Sequence, residues 1–296
     1  MLDIYKFNAE AVICIGDLHG NFNSIIGFIK QHEIKNSIII VCGDVGIGFN
    51  KDQYYQETFE KLTKKVLTKY NDYLILIRGN HDKKECFDKK LFNSKRIKAV
   101  PDYSVISMYP MDDPEMITLP FNVLCVGGAI SIDRKLRKAK NNSISMQYMF
   151  YHYTDNSKSI EEHLKDSPKC YWEDEPNIYD EIKLAEIKEN GITIDVVATH
   201  TAPSFCEPTT KDGITSFLKE DIELDNDLTN ERSNMDKLYN KLIEDGHPIT
   251  VWCYGHFHYH QHQNINNVKF FLLDMERNGK IDSVELFCNR DIFREE

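Results

Sequence analysis

The chain has 296 residues, 41% hydrophobic and 28% charged, enough to bury a sizeable core in the manner of a globular protein. Its formal net charge of −11 argues against an extended nucleic-acid surface, which needs a basic face to displace counterions. No apolar run approaches the roughly 20 residues of a membrane span. The opening Met1-Leu2-Asp3-Ile4-Tyr5-Lys6 lacks the basic-then-apolar order of a secretory signal. Cys14, Cys42, Cys125 and Cys253 fall inside expected strands, where cysteine acts as a small hydrophobe, and a cytoplasmic protein is expected.

In chain order, residues 11–15 form a first buried strand that delivers Gly16-Asp17-Leu18-His19-Gly20. Residues 21–32 follow with Phe22, Ile25, Ile26 and Ile29 at helical spacing. The β-branched run from Ile38 stops at Gly43-Asp44, and 54–70 is an amphipathic helix with Phe59, Leu62, Val66 and Leu67 inward. A third strand, 73–77, ends at Arg78-Gly79-Asn80-His81-Asp82. This alternation predicts right-handed crossovers and a layered α/β architecture. Short strands or hairpins are expected over 99–119, and a buried strand over 122–126 closes on Gly127-Gly128. Two excursions, at about 131–190 and 205–246, are read as covers over a site within one domain spanning 1–296. The second is expected to be helical around 235–243. Strands at 192–198 and 249–254 present Thr199-His200 and Gly255-His256-Phe257-His258, and closing strands are expected at 268–273 and 281–287.

One construction recurs: an apolar strand, a glycine, then a residue of metal-ligand type. In such sheets ligands bind just beyond the strand ends. Asp17 and His19 lie two apart in an extended segment, so both reach one side and one cation; His256 and His258 repeat that spacing. Asp44 has two oxygens with which to bridge two cations, Asn80 supplies an amide oxygen and His200 an imidazole. This mixed nitrogen and oxygen set suits Mn, Fe, Zn or Ni better than Ca or Mg alone. Two such ions roughly 3.5–4 Å apart would hold a hydroxide and clamp the attacking and leaving oxygens of a phosphate.

The ordered blocks Gly-Asp-Leu-His-Gly, Gly-Asp-Val-Gly, Gly-Asn-His-Asp, Thr-His-Thr-Ala-Pro and Gly-His-Phe-His, from Gly16 to His258, resemble the calcineurin-like metallophosphoesterase superfamily. The resemblance implies a four-layer α/β/β/α sandwich of the metallo-dependent phosphatase type, with a dinuclear centre at the strand ends. It implies that Asp17, His19, Asp44 and His258 hold one ion and Asp44, Asn80, His200 and His256 the other. It further implies that His81 stands near the leaving-group oxygen with Asp82 as its orienting partner. Gly46-Ile47-Gly48-Phe49 stands where serine/threonine protein phosphatases of the superfamily carry Asp-Arg-Gly, which argues against that branch. The run Gly127 to Asp133, with Arg134, Arg137 and the 172–175 patch, is similar to a stand-alone bacterial branch. Asn80, Arg134 and Arg137 are the candidate substrate contacts.

The expected activity is dinuclear, manganese-favouring phosphomonoester hydrolysis. A phosphodiesterase or nuclease, or a nucleoside polyphosphate hydrolase, would use the same centre. A scaffold with a silent site is the alternative outside enzymes, against which all ligand positions and His81 are filled.

Overall fold

The computed structural model describes residues 2–152 and 169–287. Its elements, in order, are β1 (Ile4–Asn8), β2 (Ala11–Ile15), α1 (Asn23–Gln31), β3 (Ser37–Val41) and α2 (Asp52–Leu62). A π-helical turn at Thr63–Leu67 carries α2 into α3 (Thr68–Tyr70). Then come β4 (Tyr73–Leu76), α4 (Lys84–Asp88), β5 (Ile97–Ala99), β6 (Ser104–Tyr109), β7 (Phe121–Val126) and α5 (Arg134–His152). After the next described residues follow α6 (Glu181–Glu189), β8 (Val196–Thr199), α7 (Ile214–Glu220) and α8 (Leu224–Glu244). The chain continues with β9 (Val251–Tyr254), β10 (Gln261–Ile265), β11 (Val268–Leu272) and β12 (Ser283–Phe287).

Strand parity builds four layers. In β2, Val12 and Cys14 point one way and Ile13 and Ile15 the other, because successive side chains alternate across a sheet. Ile13 and Ile15, with Ile39, Val41, Leu74 and Leu76, pack against Ile25, Phe28 and Ile29 of α1 and Tyr55, Phe59 and Leu62 of α2. The opposite parity, Val12, Cys14, Ile38, Ile40 and Ile75, packs on Ile106, Val123, Cys125, Val196, Ala198 and Cys253 of a second sheet. That sheet's outer face, including Leu124, Val197 and Trp252, is covered by Leu184 and Ile187 of α6 and Met235, Leu238 and Leu242 of α8. Helices, sheet, sheet and helices therefore stack as the resemblance implied. Cys14, Cys42, Cys125 and Cys253 are buried between the sheets and form no disulfide.

The sheets are ordered β12-β2-β3-β4-β5 and β1-β6-β7-β8-β9-β11-β10. Parallel pairing of β2, β3 and β4, and of β8 with β9, brings all the ligand-bearing turns to strand carboxyl ends. Three details differ from expectation. Strands β1 and β10 carry no buried apolar run, since only Phe7 is buried in β1 and no residue in β10, and so they were not read from the sequence. Helix α8 starts at Leu224, since Asp225 and Asp227 in its first turn suit the helix dipole and extend the helix well beyond its apolar stripe. The 99–119 stretch splits between sheets, with β5 at the edge of one and β6 inside the other. Part of the first expected excursion, 153–168, lies outside the described residues.

Candidate metal centre

Four of the seven candidate ligands have left-handed backbones: His19 (φ 45°), Asp44 (42°), His256 (72°) and His258 (56°). Such conformations cost non-glycine residues about 1 kcal/mol or more each and persist only where the surroundings over-determine them. Here the β2 and β3 turns are stitched together. Leu18 and His19 donate their backbone N–H to the Asp44 carbonyl at 3.1 and 2.8 Å, and Gly20 donates to Val45 at 2.8 Å. The flanking glycines are needed for approach: a Cβ at Gly79 would lie 2.1 Å from Asp44 Oδ1, and one at Gly255 2.1 Å from Asp17 Oδ1.

Asp82 departs from the role implied for it. Its carboxylate accepts backbone N–H bonds from Val45 (2.9 Å), Gly46 (2.7 Å), Ile47 (2.7 Å) and Gly79 (2.7 Å). Among the described residues it makes no hydrogen bond to His81. Asp82 therefore fixes the turns that carry Asp44 and Asn80, not the histidine ring beside it. Burial, with the nearby Asp44 charge, pushes its carboxyl up to about 6.

The seven ligand candidates converge in two overlapping sets. Ligand atoms of Asp17, His19, Asp44 and His258 all lie within 4.8 Å of one another. His19 Nε2 stands 3.1 Å from His258 Nε2, and His258 Nε2 3.3 Å from Asp17 Oδ2. In the second set, Asn80 Oδ1 faces His200 Nε2 at 2.9 Å and His256 Nδ1 at 3.0 Å, and His200 Nε2 lies 3.3 Å from Asp44 Oδ1. Asp44 belongs to both: Oδ1 points to the second set, and Oδ2, 3.9 Å from His19 Nε2, to the first.

The residues fit cations. Asp44 Oδ2 is buried with no hydrogen-bond partner. His200 Nδ1 lies 2.8 Å from the Cys42 carbonyl, which can only accept, so Nδ1 carries the proton. In the neutral ring Nε2 is then a lone pair aimed at two oxygens, an arrangement that a positive ion resolves. Without one, burial, which would depress His200, is outweighed by the Asp44 and Asp17 carboxylates, and its pKa rises to about 9. His19 and His256 are depressed, chiefly by burial.

Asn80 can present its oxygen because its nitrogen is engaged elsewhere. Asn80 Nδ2 donates to Ser131 Oγ at 2.8 Å, and the buried Glu175 carboxylate holds Ser131 through Oγ (2.7 Å) and backbone N–H (2.9 Å). The Ser131–Glu175 pair was not singled out from sequence. Its signal lay in two segments that were, the run after Gly127-Gly128 and the 171–175 patch. His81 is 92% buried, with Nε2 3.9 Å from Asp44 Oδ2 and its backbone N–H donating to Asp44 Oδ1 at 2.8 Å. Burial lowers its pKa to about 4, Arg137 and Lys211 adding to the effect.

Arg78, 99% buried, pairs with Asp102 at 2.8 Å and donates to the Glu175 and Pro176 carbonyls, so it ties down the segment that bears Glu175. Trp172 packs edge-on against Phe49 with ring centroids 5.4 Å apart, closing the same segment over the turn after Asp44. Arg134 pairs with Asp221 (2.7 Å) and Asp227 (2.6 Å), joining the two excursions to each other. Arg137 pairs with Asp133 at 2.7 Å, and its charge reaches His81. The structure thus gathers Asp17, His19, Asp44, Asn80, His81, His200, His256 and His258, while Arg134 is held by two carboxylates of the second excursion.

A two-sheet α/β sandwich with this ligand set at its strand ends defines a metal-dependent phosphoester hydrolase. The sequence pattern of the calcineurin-like phosphoesterases matches residues 11–260, and the chain belongs to that family. No curated protein matches the sequence. Among solved structures, it is similar to a dimetal phosphatase from Danio rerio, with 12% identity, 90% of this chain and 88% of that one covered, and a TM-score of 0.46. It is similar also to GAP50, the anchor in the inner membrane complex of Plasmodium, at 11% identity, 94% and 81% coverage and a TM-score of 0.46. A phosphopantetheinyl hydrolase from Mycobacterium tuberculosis gives 13% identity, 97% and 99% coverage and a TM-score of 0.39. No helix among the described residues is long and apolar enough to cross a membrane.

Proposed function

We propose that the chain is a dinuclear phosphomonoesterase in which Asp17, His19, Asp44 and His258 hold one ion and Asp44, Asn80, His200 and His256 the other. The observation that carries this reading is Asp44, whose two oxygens face two separate convergences of lone pairs, one of them buried and unpartnered. Two bound cations supply Lewis acidity and an activated water, the chemistry that phosphoester cleavage requires. Manganese is the favoured metal, on the mixed nitrogen and oxygen donor set.

The chain's own groups supply position and proton control. Asn80, fixed by Ser131, holds its amide oxygen toward the site. His81, beside Asp44 and nearly buried, offers a ring N–H to the departing oxygen and so assists an alkoxide that is a poor leaving group. Arg137 contributes positive field at the rim, and Arg134 acts as the strut between excursions rather than as a substrate contact. We read the whole chain as one domain covered by its 131–190 and 205–246 excursions. The unbonded buried cysteines accord with a cytoplasmic, reducing compartment.

The test is turnover of p-nitrophenyl phosphate against bis-p-nitrophenyl phosphate with added Mn²⁺. Faster monoester turnover is expected; faster diester turnover would replace the reading with a phosphodiesterase, and none with any of Mn, Fe, Zn or Ni would end it. His81→Ala is expected to slow an alkyl phosphate more than the p-nitrophenyl ester. Equal slowing would remove the leaving-group role.

A further inference from the structure

Beside His256 lies a cavity of about 320 Å³ walled by α8, the 204–214 segment and Phe257. Its volume is at the small end of the range for metabolite sites, too small for a folded protein segment. One wall residue stands apart. Arg232 is 93% buried, yet only its Nη2 is engaged, donating to the Cys206 carbonyl. Its Nε and Nη1 have no hydrogen-bond partner, and its guanidinium lies 5.2 Å from the centre of the Phe257 ring.

A buried guanidinium with unmet N–H groups is costly to maintain, since it has lost water and gained no partner in return. The Glu231 and Asp236 carboxylates that share this wall favour the charge of Arg232, but neither accepts a hydrogen bond from Nε or Nη1. Glu231 accepts from the Ile130 backbone and from Thr201 Oγ1 at 2.9 Å, and Asp236 accepts from Ser204 N and Oγ, both at 2.7 Å. Lys211 also lines the cavity, and its positive charge reaches both His81 and His256. Phe257 immediately follows His256 in the chain, so the cavity adjoins the proposed second ion.

We propose that this cavity receives the leaving group of the substrate, and that Arg232 binds a second anionic group carried on it, a carboxylate or a second phosphate. The inference rests on the phosphoester-hydrolase reading, since a substrate reaches both places only when its scissile phosphate sits at the ligand residues. Arg232 is then a specificity-determining residue. Nε and Nη1 supply the charge-assisted hydrogen bonds, Phe257 orients the guanidinium, and Lys211 adds to the local attraction for anions. The substrate class is a small phosphomonoester with a second anion.

Two readouts test this on the Mn²⁺-loaded protein. The first compares kcat/KM for phenyl phosphate, 4-carboxyphenyl phosphate and 1,4-phenylene bisphosphate. At least one of the doubly anionic esters is expected to be favoured about tenfold or more, mainly through KM, as one charge-assisted hydrogen bond would give. Arg232→Met should reduce that preference to near unity, and Arg232→Lys should recover part of it. No preference in the wild type, or an Arg232→Met loss equal on all three esters, would overturn the proposal. The second readout is calorimetric binding of phenylphosphonate and 4-carboxyphenylphosphonate, which needs no turnover. Tighter binding of the carboxylated compound, lost in Arg232→Met, supports the pocket even where no ester is hydrolysed, in which case only the hydrolase reading falls. Equal affinities, alongside turnover of the esters without preference, would overturn the pocket and leave the hydrolase standing.

Discussion

The floor of the site and its cover are built on different terms. The floor consists of turns one or two residues past strand ends, where strained backbones are locked by short-range stitching: Asp44 carbonyl to Leu18 and His19, Asp82 carboxylate to four backbone N–H groups. The cover, 130–137, 170–177 and 204–236, is held by side-chain hydrogen bonds and ion pairs between distant parts of the chain. Ser131 meets Glu175 across 44 positions and Ile130 meets Glu231 across 101. A floor of this kind admits little variation, because Gly79 and Gly255 have no room for a Cβ and Asp82 commits both oxygens to four backbone donors. The cover can change its side chains while the ligands stay in place. Reaction class would follow from the floor and substrate choice from the cover.

That division can be broken by substitution. Asp44→Asn removes the only ligand common to both sets and is expected to lower turnover by more than about a hundredfold, beyond the 10–100-fold typical of supporting partners. Metal analysis of the purified variant should show less than the wild-type stoichiometry; full occupancy with lost turnover would separate Asp44 from ion binding.

Asp82→Ala is expected to act first on stability. Four backbone donors would lose their acceptor at about 1 kcal/mol or more each, so the urea midpoint should fall markedly. Unchanged stability with slowed alkyl-ester turnover would return Asp82 to the role of His81's partner.

The smallest expected effect belongs to the cover. Glu175→Gln should lower turnover about tenfold by loosening the Ser131 support of Asn80. It also carries a pH signature in the metal-stripped protein. Burial raises the Glu175 carboxyl from 4.5 to about 8, so the folded state holds a proton that the unfolded state has released. Stability contributed by this group is therefore present below about pH 4.5 and is lost as pH rises toward 8. The wild type minus Glu175→Gln difference in melting temperature should fall across that window, and a flat difference would mean that Glu175 is ionised throughout.

The floor was legible in the sequence because its chemistry is coded over two or three neighbours. An apolar run fixes a buried strand, a glycine permits the tight turn, and the next residue is aimed beyond the sheet edge, so Asp17, Asp44, Asn80 and His256 could be named as candidates without knowing what lay beside them, and His200, after Thr199, in a looser form of the same pattern. The layered fold was legible for the same reason, since strand parity and helix spacing are local periodicities. Asp82 and Arg134 show where that reading stopped. A carboxylate next to His81 in the chain suggested a partner for the ring, but side-chain direction in the turn sends it to the backbone N–H groups of Val45, Gly46, Ile47 and Gly79 instead. Arg134 followed a glycine run near the site, and only the docking of the second excursion supplied Asp221 and Asp227 to hold it. Strand order, the pairing of Ser131 with Glu175 and the unmet N–H groups of Arg232 depend on which distant segments meet. Loop closure brings those segments together, and no local pattern in the chain encodes the meeting. By itself the sequence determined which residue types stand at the strand ends; the tertiary structure decided which of them meet, what holds them there and what lines the neighbouring cavity.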